Sequence, residues 1–513
     1  MQKSPCVFIV GAGPGDPGLI TVRGQRHLET ADVVVYDHTV HGPLLRSARA
    51  DAEKIDVGPA APRALDQDAI SLLLVEKARE GKTVVRLKWG DPFVFDSGGK
   101  EALFLHEQQI PFEVVPGIPA TIGMPAYAGI PVTYPGFGDV VTLVRGHEAE
   151  IDAKPKVDWQ RLAGLEGTIL CYAGWKQIDA IVNALLANGR SPEESAALIY
   201  AGTTPAQETI VATLGTIVER ARPGDPAMLV IGAVTALREH LRWFDDRPLF
   251  GRRIVVTRSR EQASDLVDML EDRGAEVIQA PTIRIAPPED MEALDRACAD
   301  AGVYDWIVFT SANAVDHFMS RVLGNGDIRD LKGVRLCAIG PSTAQRVSRH
   351  GVRVDLIPEE SRSEVVIEAL SAAGAIKGKR FLLPRSDIAR EVLADQLRDA
   401  GAEVSEVVAY RTLVGGADRD GDQDVYRMLL DRRIDAVTFT SASTVRNFAK
   451  IYGEDQAADL LSATVVASIG PVTAEAAQQL GIATTVMPER YTVPDLVDAL
   501  VGHFKSAQLA VSR

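Results

Sequence analysis

The sequence lacks any apolar run near the roughly 18 residues that cross a membrane. Its start, MQKSPCVFIV, shows no long apolar segment followed by a small-residue cleavage site, because the run is interrupted by GAGPGDPG. The cysteines are few and far apart, and they form neither CxxC nor CxxH pairs: Cys6, Cys171, Cys298 and Cys337. They predict neither a zinc site nor a disulfide framework, so we expect a soluble protein of a reducing cytoplasm without a metal.

An excess of positive charge is also absent. The chain carries 55 Lys and Arg against 70 Asp and Glu, which gives a formal net charge of −15. Nucleic-acid binding requires a basic face, so we expect no nucleic-acid partner, and no membrane partner either. An anionic small-molecule substrate would require arginines and lysines gathered locally. With 513 residues, the chain is long enough for several domains.

Strand-like apolar runs alternate with helical patterns through Trp243, which predicts α/β domains. The charged segment WFDDRPLFGRR, with its proline and glycine, precedes a new strand at Ile254 and indicates the main boundary. We predict an N-terminal half at 1–243 with lobes of about 1–135 and 136–243, a linker at 244–250, and a C-terminal half at 251–513.

The C-terminal half contains an internal repeat. FTSANAV at Phe309 recurs as FTSASTV at Phe439, and IGPSTA at Ile339 recurs as IGPVTA at Ile469. Both pairs are displaced by 130 positions, which can be read directly from these numbers. A duplication that gives two similar α/β lobes is the simplest explanation, and the lobes need not follow chain order in space.

A glycine-rich turn, VFIVGAGPGDPGLIT, follows the first predicted strand. It fails as a GxGxxG dinucleotide motif because Asp16 stands where the third glycine is required, and Pro14 offers no amide to a phosphate. Alone, the turn is a weak signal. It is followed in order by DVVVYDHTV, VVRLKWGDPFVF, SGGKEA, PFEVVPGIPA and YAGIPVTY, and this ordered set is far more specific.

With these motifs, residues 5 to about 243 resemble uroporphyrinogen-III C-methyltransferase, which methylates a tetrapyrrole to precorrin-2. The resemblance implies a two-lobed methyltransferase fold, a homodimer formed through this half, and S-adenosylmethionine (SAM) as the cofactor. It places the cofactor contacts on the following residues: Pro14, Trp89, Gly90, Asp91, Val94, Pro119, Ala120, Ala173 and Gly202.

The resemblance assigns the catalytic base to Asp37, at the end of the strand VVVYD. Without the family, Asp37 could equally cap a helix or bind a ribose. The family pattern is broken at four positions near the site: Pro59, Trp89, Asp96 and Ser97. Two positive charges that the family has near the substrate are thereby lost. We expect other basic residues to replace them, with Lys88 as the first candidate for substrate binding and three further candidates: Arg63, Arg86 and His147.

The C-terminal half contains no phosphate loop and no metal spacing. Its repeats place small hydroxyl residues where strands end and helices begin: Ser311, Thr343, Ser441 and Thr473. Two readings stay open at this point. The hydroxyls cap helices, or they hold carboxylates of a ligand in a cleft between two lobes.

The segments VVTRSREQA, VFTSANAV, IGPSTA, AYRT, FTSASTV and IGPVTAEAA resemble uroporphyrinogen-III synthase over about residues 251–502. The resemblance implies closure of hydroxymethylbilane between two lobes, with Tyr410 as the acid for loss of the hydroxyl. Arginines near the strand ends are candidates for binding the acetate and propionate groups of the substrate: Arg253, Arg258, Arg260, Arg284, Arg385, Arg390 and Arg411. We expect two or three of them to contact the ligand, with Arg258 and Arg385 as the first candidates.

The sequence therefore predicts a bifunctional enzyme whose synthase half makes the tetrapyrrole substrate that its methyltransferase half uses, for siroheme or cobalamin synthesis. Two alternatives remain. The N-terminal half could bind without catalysing, given the four departures, or it could methylate another corrinoid.

Overall fold

A computed structural model gives the fold of the chain over most of its length. The residues that it describes are 6–37, 42–49, 51–58, 65–137, 139–145, 157–222, 226–359, 363–387, 392–414 and 424–511. Four residues singled out in the sequence lie outside this part: Pro59, Arg63, His147 and Arg390.

The N-terminal half begins with a parallel five-stranded sheet in the order β3-β2-β4-β1-β5. Apart from Arg86 and Lys88 in β4, its three central strands are rich in apolar residues because both faces are covered, as is usual for parallel sheets. The strands are β1 Val7–Gly11, β2 Val33–Tyr36, β3 Glu53–Asp56, β4 Val84–Lys88 and β5 Phe112–Val115, and the helices are α1 Val22–Thr30, α2 Gly42–Leu45, α3 Gln67–Arg79, α4 Gly98–Glu107 and α5 Ala120–Tyr127.

A second sheet follows in the order β6-β7-β10-β8-β9, with β6 and β7 parallel and the other pairs antiparallel. Its strands are β6 Val141–Arg145, β7 Thr168–Ala173, β8 Ser195–Tyr200, β9 Glu208–Thr213 and β10 Ala227–Ile231, and its helices are α6 Trp159–Ala163, α7 Trp175–Ala187 and α8 Arg238–Leu241. Helix α5 packs Ala120 and Met124 against this sheet. Helix α5, at the end of the first lobe, therefore shares a hydrophobic core with the sheet of the second lobe.

The C-terminal half contains two more sheets. One has the order β12-β11-β18-β19 and the other has the order β13-β17-β16-β14-β15. The strands are β11 Arg253–Val256, β12 Glu276–Gln279, β13 Ile283–Ala286, β14 Trp306–Phe309, β15 Arg335–Ala338, β16 Arg380–Ser386, β17 Glu403–Val414, β18 Ala436–Phe439 and β19 Val465–Ser468.

Eleven further helices of the described chain surround these two sheets. They are α9 Arg260–Glu271, α10 Met291–Ala299, α11 Ala312–Asn325, α12 Pro341–Arg349, α13 Ser363–Ala373, α14 Val392–Asp399, α15 Val425–Leu430, α16 Ala442–Tyr452, α17 Ala457–Leu460, α18 Pro471–Gln478 and α19 Val493–Val511. Many begin directly after a strand, so their N-termini lie at the carboxyl edges of the sheets.

The two C-terminal lobes do not follow chain order. The sheet with β13 to β17 is built from residues 283–414, whereas the other sheet takes two strands from before this segment and two from after it. The order β12-β11-β18-β19 in one lobe corresponds to β17-β16-β14-β15 in the other. The predicted repeat is therefore visible as two equivalent sheets, with one lobe inserted into the other.

These sheets confirm the predicted α/β class with two lobes in each half. The exact domain limits stay predictions, although the first sheet ends at Val115 and the second begins at Val141. Among the described residues, no helix combines the length and apolar character required of a membrane span.

Candidate functional site

Three glycines bring the ends of neighbouring strands together at the carboxyl edge of the first sheet. A Cβ atom on Gly117 would lie closer than 3.0 Å to the Gly90 carbonyl oxygen and to Gly11 Cα. Gly90 has a φ of +68°, and its amide donates to the carbonyl of Gly13 at 2.9 Å. Only glycine permits this approach, so the turn after β1 and the turn after β4 form one continuous backbone surface.

Trp89 and Asp91 hold that surface in shape. The indole Nε1 of Trp89 donates to the Pro14 carbonyl oxygen at 2.9 Å, and its ring lies 5.1 Å from that of Tyr172. Asp91 accepts the amide of Phe93 at 2.8 Å and that of Gly117 at 3.0 Å. The tryptophan that departs from the family pattern thus joins the two turns to the second lobe.

Asp16, which breaks the dinucleotide motif, joins the first turn to the second lobe. It accepts the amide of Gly18 at 2.7 Å and the hydroxyl of Tyr127 at 2.7 Å. Its own amide donates to Thr203 Oγ1 at 3.1 Å. Ala201 and Thr203 have φ values of +44° and +67°, a strained region for side chains with a Cβ. Such strain is concentrated at ligand-binding sites, and sequence reasoning did not single out Thr203.

The predicted cofactor residues lie around this surface. Pro14, Trp89 and Gly202 line one cavity of about 640 Å³ together with Thr203 and Met124. Gly90 lies beside α5, because a Cβ on it would approach the amide of Ala120 and the Cα of Pro119 at 3.7 and 3.8 Å. Asp91 and Val94 follow in the same turn, and Ala173 ends β7 in the core. Three of the nine predicted residues therefore line the cavity, Ala173 packs in the core of the second lobe, and contacts of all nine with a cofactor stay predictions.

The predicted base, Asp37, is held by a buried arginine. Arg86 Nη2 donates to Asp37 Oδ1 at 2.8 Å, while Arg86 Nε lies 3.2 Å from Glu101 Oε1. The Arg86 side chain is 1% exposed and that of Asp37 is 27% exposed. The Asp37 carboxylate is therefore partly exposed to solvent, while the buried Arg86 guanidinium fixes its orientation.

Lys88 is buried in the same charge network. Its Nζ lies 3.1 Å from Glu101 Oε1, 3.0 Å from Asp96 Oδ1 and 2.8 Å from Ser97 Oγ. Burial raises the pKa of Glu101, but Arg86 and Lys88 together hold it below its usual value. Two of the departures from the family pattern, Asp96 and Ser97, therefore bind Lys88, and its role in substrate binding stays a prediction.

In the C-terminal half, Tyr410 lies on β17 with its hydroxyl 3.0 Å from Ser311 Oγ. Ser311 also caps α11 by accepting the amide of Ala314 at 3.1 Å. His317 stacks on the Tyr410 ring at 5.8 Å, and the tyrosine is 7% exposed. The pair is brought together across 99 residues of sequence, which no local spacing could reveal.

The other predicted residues of this half occupy equivalent positions in the two lobes. Ser441 caps α16 as Ser311 caps α11, and Thr343 and Thr473 are buried in the first turns of α12 and α18. Helix capping is therefore observed for both serines, and their contact with a ligand stays a prediction.

The arginine candidates differ in their surroundings. Arg385 pairs with Glu406 inside its lobe, and Arg253 pairs with Glu276 at 2.7 Å. Arg411 donates to the carbonyl oxygen of Pro287 and pairs with Glu289. Burial lowers the pKa of Arg258, which follows the end of β11. A role in carboxylate binding stays a prediction for each.

Comparisons with known proteins divide the chain in the same way. The family model described as Tetrapyrrole (Corrin/Porphyrin) Methylases matches residues 6–218, and the one described as Uroporphyrinogen-III synthase HemD matches residues 264–498. The porphyrin biosynthesis protein HemD of Ruminiclostridium josui is 35% identical over 501 residues, which are 96% of this chain and 97% of that protein.

Two other relatives match less of the chain. The uroporphyrinogen-III C-methyltransferase of Bacillus subtilis (strain 168) is 36% identical over 372 residues, 72% of this chain and 76% of that protein. The siroheme synthase of Neisseria meningitidis serogroup B (strain ATCC BAA-335 / MC58) is 46% identical over 242 residues, which are 47% of this chain and 50% of that protein.

The fold and these comparisons together define a two-part tetrapyrrole enzyme, with a methyltransferase half followed by a two-lobed synthase half. The chain belongs to the family of the Ruminiclostridium josui porphyrin biosynthesis protein HemD, and it joins a tetrapyrrole methylase domain to a uroporphyrinogen-III synthase domain. The predicted relationship and both predicted enzyme classes are confirmed.

Proposed function

We propose that the C-terminal half closes hydroxymethylbilane to uroporphyrinogen III and that the N-terminal half methylates this product twice with SAM to give precorrin-2. The presence of both domains in one chain carries the proposal, since the product of one reaction is the substrate of the other. The relative named siroheme synthase favours siroheme as the end product, with cobalamin as the other destination.

The residues around the first turn fit a cofactor of SAM's size and chemistry. A cavity of about 640 Å³ lies within the range of roughly 300 to 1,000 Å³ usual for small-molecule pockets. Gly90 has a φ of +68° beside α5, and Gly202 permits the close approach of Met124, since a Cβ on it would lie 2.5 to 2.8 Å from that side chain. The cavity is lined by both polar and apolar residues and is therefore compatible with a partly polar ligand.

The bound cofactor supplies a methyl group on a sulfonium, which is already an activated electrophile. The chain has to align the electron-rich pyrrole carbon with this methyl group and exclude water. Asp37 then accepts the proton that the substrate loses after the carbon–carbon bond forms. Arg86 orients the accepting carboxylate from the buried side, at 2.8 Å.

In the synthase half, Tyr410 donates a proton to the departing hydroxyl of hydroxymethylbilane, which leaves as water. A phenol is protonated at neutral pH, so it suits the role of acid. Ser311, 3.0 Å away, orients the Tyr410 hydroxyl. Helix N-termini at the carboxyl edges of both sheets provide amide dipoles for the substrate carboxylates.

Purified protein incubated anaerobically with uroporphyrinogen III and SAM tests the methyltransferase part, with the product followed by mass and absorption. We expect a gain of two methyl groups. Hydroxymethylbilane alone tests the synthase part separately, and uroporphyrinogen III is the expected product.

A second candidate keeps the synthase active and treats the N-terminal half as a binding or regulatory domain. The observation in its favour is that Asp96 and Ser97 bind Lys88, which leaves this ammonium engaged inside the lobe. Binding of SAM without any methylated product would support this candidate. Acceptance of a later corrinoid in place of uroporphyrinogen III would support methylation of a different substrate.

The quaternary structure that accompanies this function is a homodimer formed through the N-terminal half. The relationship to the methyltransferase family supports it. Light scattering on the purified chain gives the mass directly, and twice the 55.2 kDa of one chain is expected.

A further inference from the structure

The cavity beside the cofactor turns has a second wall that comes from outside the methyltransferase lobes. On one side it is lined by residues 14–17 and 201–206, and on the other by Phe244, Arg247 and residues 274–279. The second set belongs to the linker and to the start of the C-terminal half. A pocket predicted for the methyltransferase thus extends to the synthase domain.

Aromatic contacts fix the linker against the first half. Trp243 Nε1 donates to the Ala126 carbonyl oxygen at 2.9 Å, and the Phe244 ring lies 4.7 Å from that of Tyr127. Tyr127 in turn donates to Asp16 in the first cofactor turn at 2.7 Å. The position of the linker is therefore coupled to that turn through two contacts.

The same linker is fixed to the C-terminal half. The Arg247 guanidinium lies 4.9 Å from the Trp243 ring and 5.0 Å from the Phe244 ring, and it donates to the Glu271 carbonyl oxygen at 3.4 Å. The amide of Leu249 donates to the Arg273 carbonyl oxygen at 2.9 Å. Arg247 thus connects the aromatic linker to the end of α9, directly before β12.

Residues of strand β12 line the cavity. It is an edge strand of its sheet, with β11 as its neighbour among the described strands. The amide of Glu276 donates to the carbonyl oxygen of Arg252, just before β11, and the amide of Ala280 donates to that of Val256 in β11. In a parallel ladder the residues between these donors, such as Val277 and Gln279, direct their backbone groups away from β11. Both residues are among those that line the cavity.

The charges of the described lining residues are close to balanced, because burial raises the pKa of Glu271 to about 7 and leaves only a small positive excess. Three arginines and three carboxylates face the cavity: Arg46, Arg247, Arg253, Asp16, Glu271 and Glu276. A nearly balanced set does not attract a substrate with eight carboxylates, which would require a large positive excess. It is compatible with a ligand that carries charges of both signs, as SAM does with its sulfonium, ammonium and carboxylate groups.

We propose that the synthase domain and the linker form the outer wall of the SAM pocket, so that cofactor binding by the methyltransferase half depends on Arg247 and on the free edge of β12. The inference rests on the proposed use of SAM. It makes the fusion of the two domains a part of the cofactor site rather than only a link between consecutive reactions.

The test measures binding of S-adenosylhomocysteine to the full-length chain by calorimetry. Arg247→Ala removes the connection between linker and α9, and Gln279→Trp fills the cavity from the synthase side. We expect each to raise the dissociation constant at least tenfold. Arg252→Ala is the matched control, because Arg252 also lies over an aromatic ring, Phe504, at 4.8 Å and pairs with Asp435 at 2.9 Å, but it does not line the cavity.

The outcomes separate this inference from the proposed function. If the unaltered chain binds no S-adenosylhomocysteine, the proposed cofactor is wrong and the inference fails with it. If the unaltered chain binds and both variants bind within twofold of it, the proposed function stands and the inference is overturned. An equal loss in Arg252→Ala also overturns it, because the effect would then be a general loosening. Circular dichroism and retained synthase activity identify any variant that fails to fold.

Discussion

The buried arginine beside Asp37 allows the sharpest prediction on stability. Arg86→Met removes a cation that is 1% exposed and leaves the carboxylate of Glu101, which is fully buried, with one cation instead of two. Removing one partner of a buried ion pair costs about 3 to 5 kcal/mol. Lys88 still lies 3.1 Å from Glu101, so we take the lower end, about 3 kcal/mol. For a domain of this size, that corresponds to a fall in melting temperature of roughly 6 to 12 °C.

Differential scanning calorimetry on the full-length chain measures this effect, with S-adenosylhomocysteine added in parallel samples to identify the transition of the N-terminal half. Arg23→Met is the control, because Arg23 forms an exposed pair with Glu113, with side chains 66% and 34% exposed. Exposed pairs contribute about 0 to 1 kcal/mol, so the transition should move by no more than a few degrees. Equal melting temperatures for Arg86→Met and the control would refute the reasoning.

The remaining predictions concern catalysis, packing and pH. Asp37→Asn should lower the methylation rate about 10²- to 10⁴-fold while S-adenosylhomocysteine affinity stays unchanged, and a rate within threefold would exclude Asp37 as the base. Tyr410→Phe should slow closure of hydroxymethylbilane by about 10²-fold or more without affecting methylation of added uroporphyrinogen III, so a normal closure rate would remove Tyr410 from the mechanism. Gly117→Ala should destabilise the N-terminal half by about 1 to 3 kcal/mol in urea, whereas Gly99→Ala, where nothing lies within 4 Å, should not; equal midpoints would contradict the close strand approach. Arg86 and Lys88 hold the pKa of Glu101 below 4.5 despite its burial. The ionised Glu101 should therefore stabilise the fold fully above about pH 4.5, and this stabilisation should be lost as the pH falls through the pKa of Glu101 in the folded protein. Glu101→Gln should flatten the dependence of stability on pH in this range, and an unchanged slope would contradict the prediction.

In the N-terminal half, the strand-like apolar runs of the sequence correspond to eight strands and leave out two edge strands, β3 and β9. The apolar runs of β1, β2, β4 and β5 are visible because helices cover both faces of a parallel sheet. Strand β3, Glu53–Asp56, is an edge strand with exposed Glu53 and Lys54, and β9, Glu208–Thr213, is the edge of the second sheet. Neither contains a continuous apolar signal, so single-sequence patterns do not reveal them.

The predicted site shows the same limit. The family resemblance groups Pro14, Trp89 and Gly202, and these residues line one cavity in the structure. The partners of Lys88 could not be read from the sequence, because Glu101 and Asp96 contact it only after α4 folds back on β4. Whether the lysine of this motif faces solvent or a carboxylate therefore depends on the tertiary fold, which the motif does not specify.

Both activities can be followed in one experiment, in which the full-length chain receives hydroxymethylbilane and SAM together without oxygen. The products are followed by mass and absorption over time. We expect the linear substrate to disappear and a macrocycle with two added methyl groups to accumulate from the single purified chain. Closure that stops at uroporphyrinogen III while S-adenosylhomocysteine still binds would contradict a catalytic N-terminal half. Failure of closure would contradict the synthase assignment.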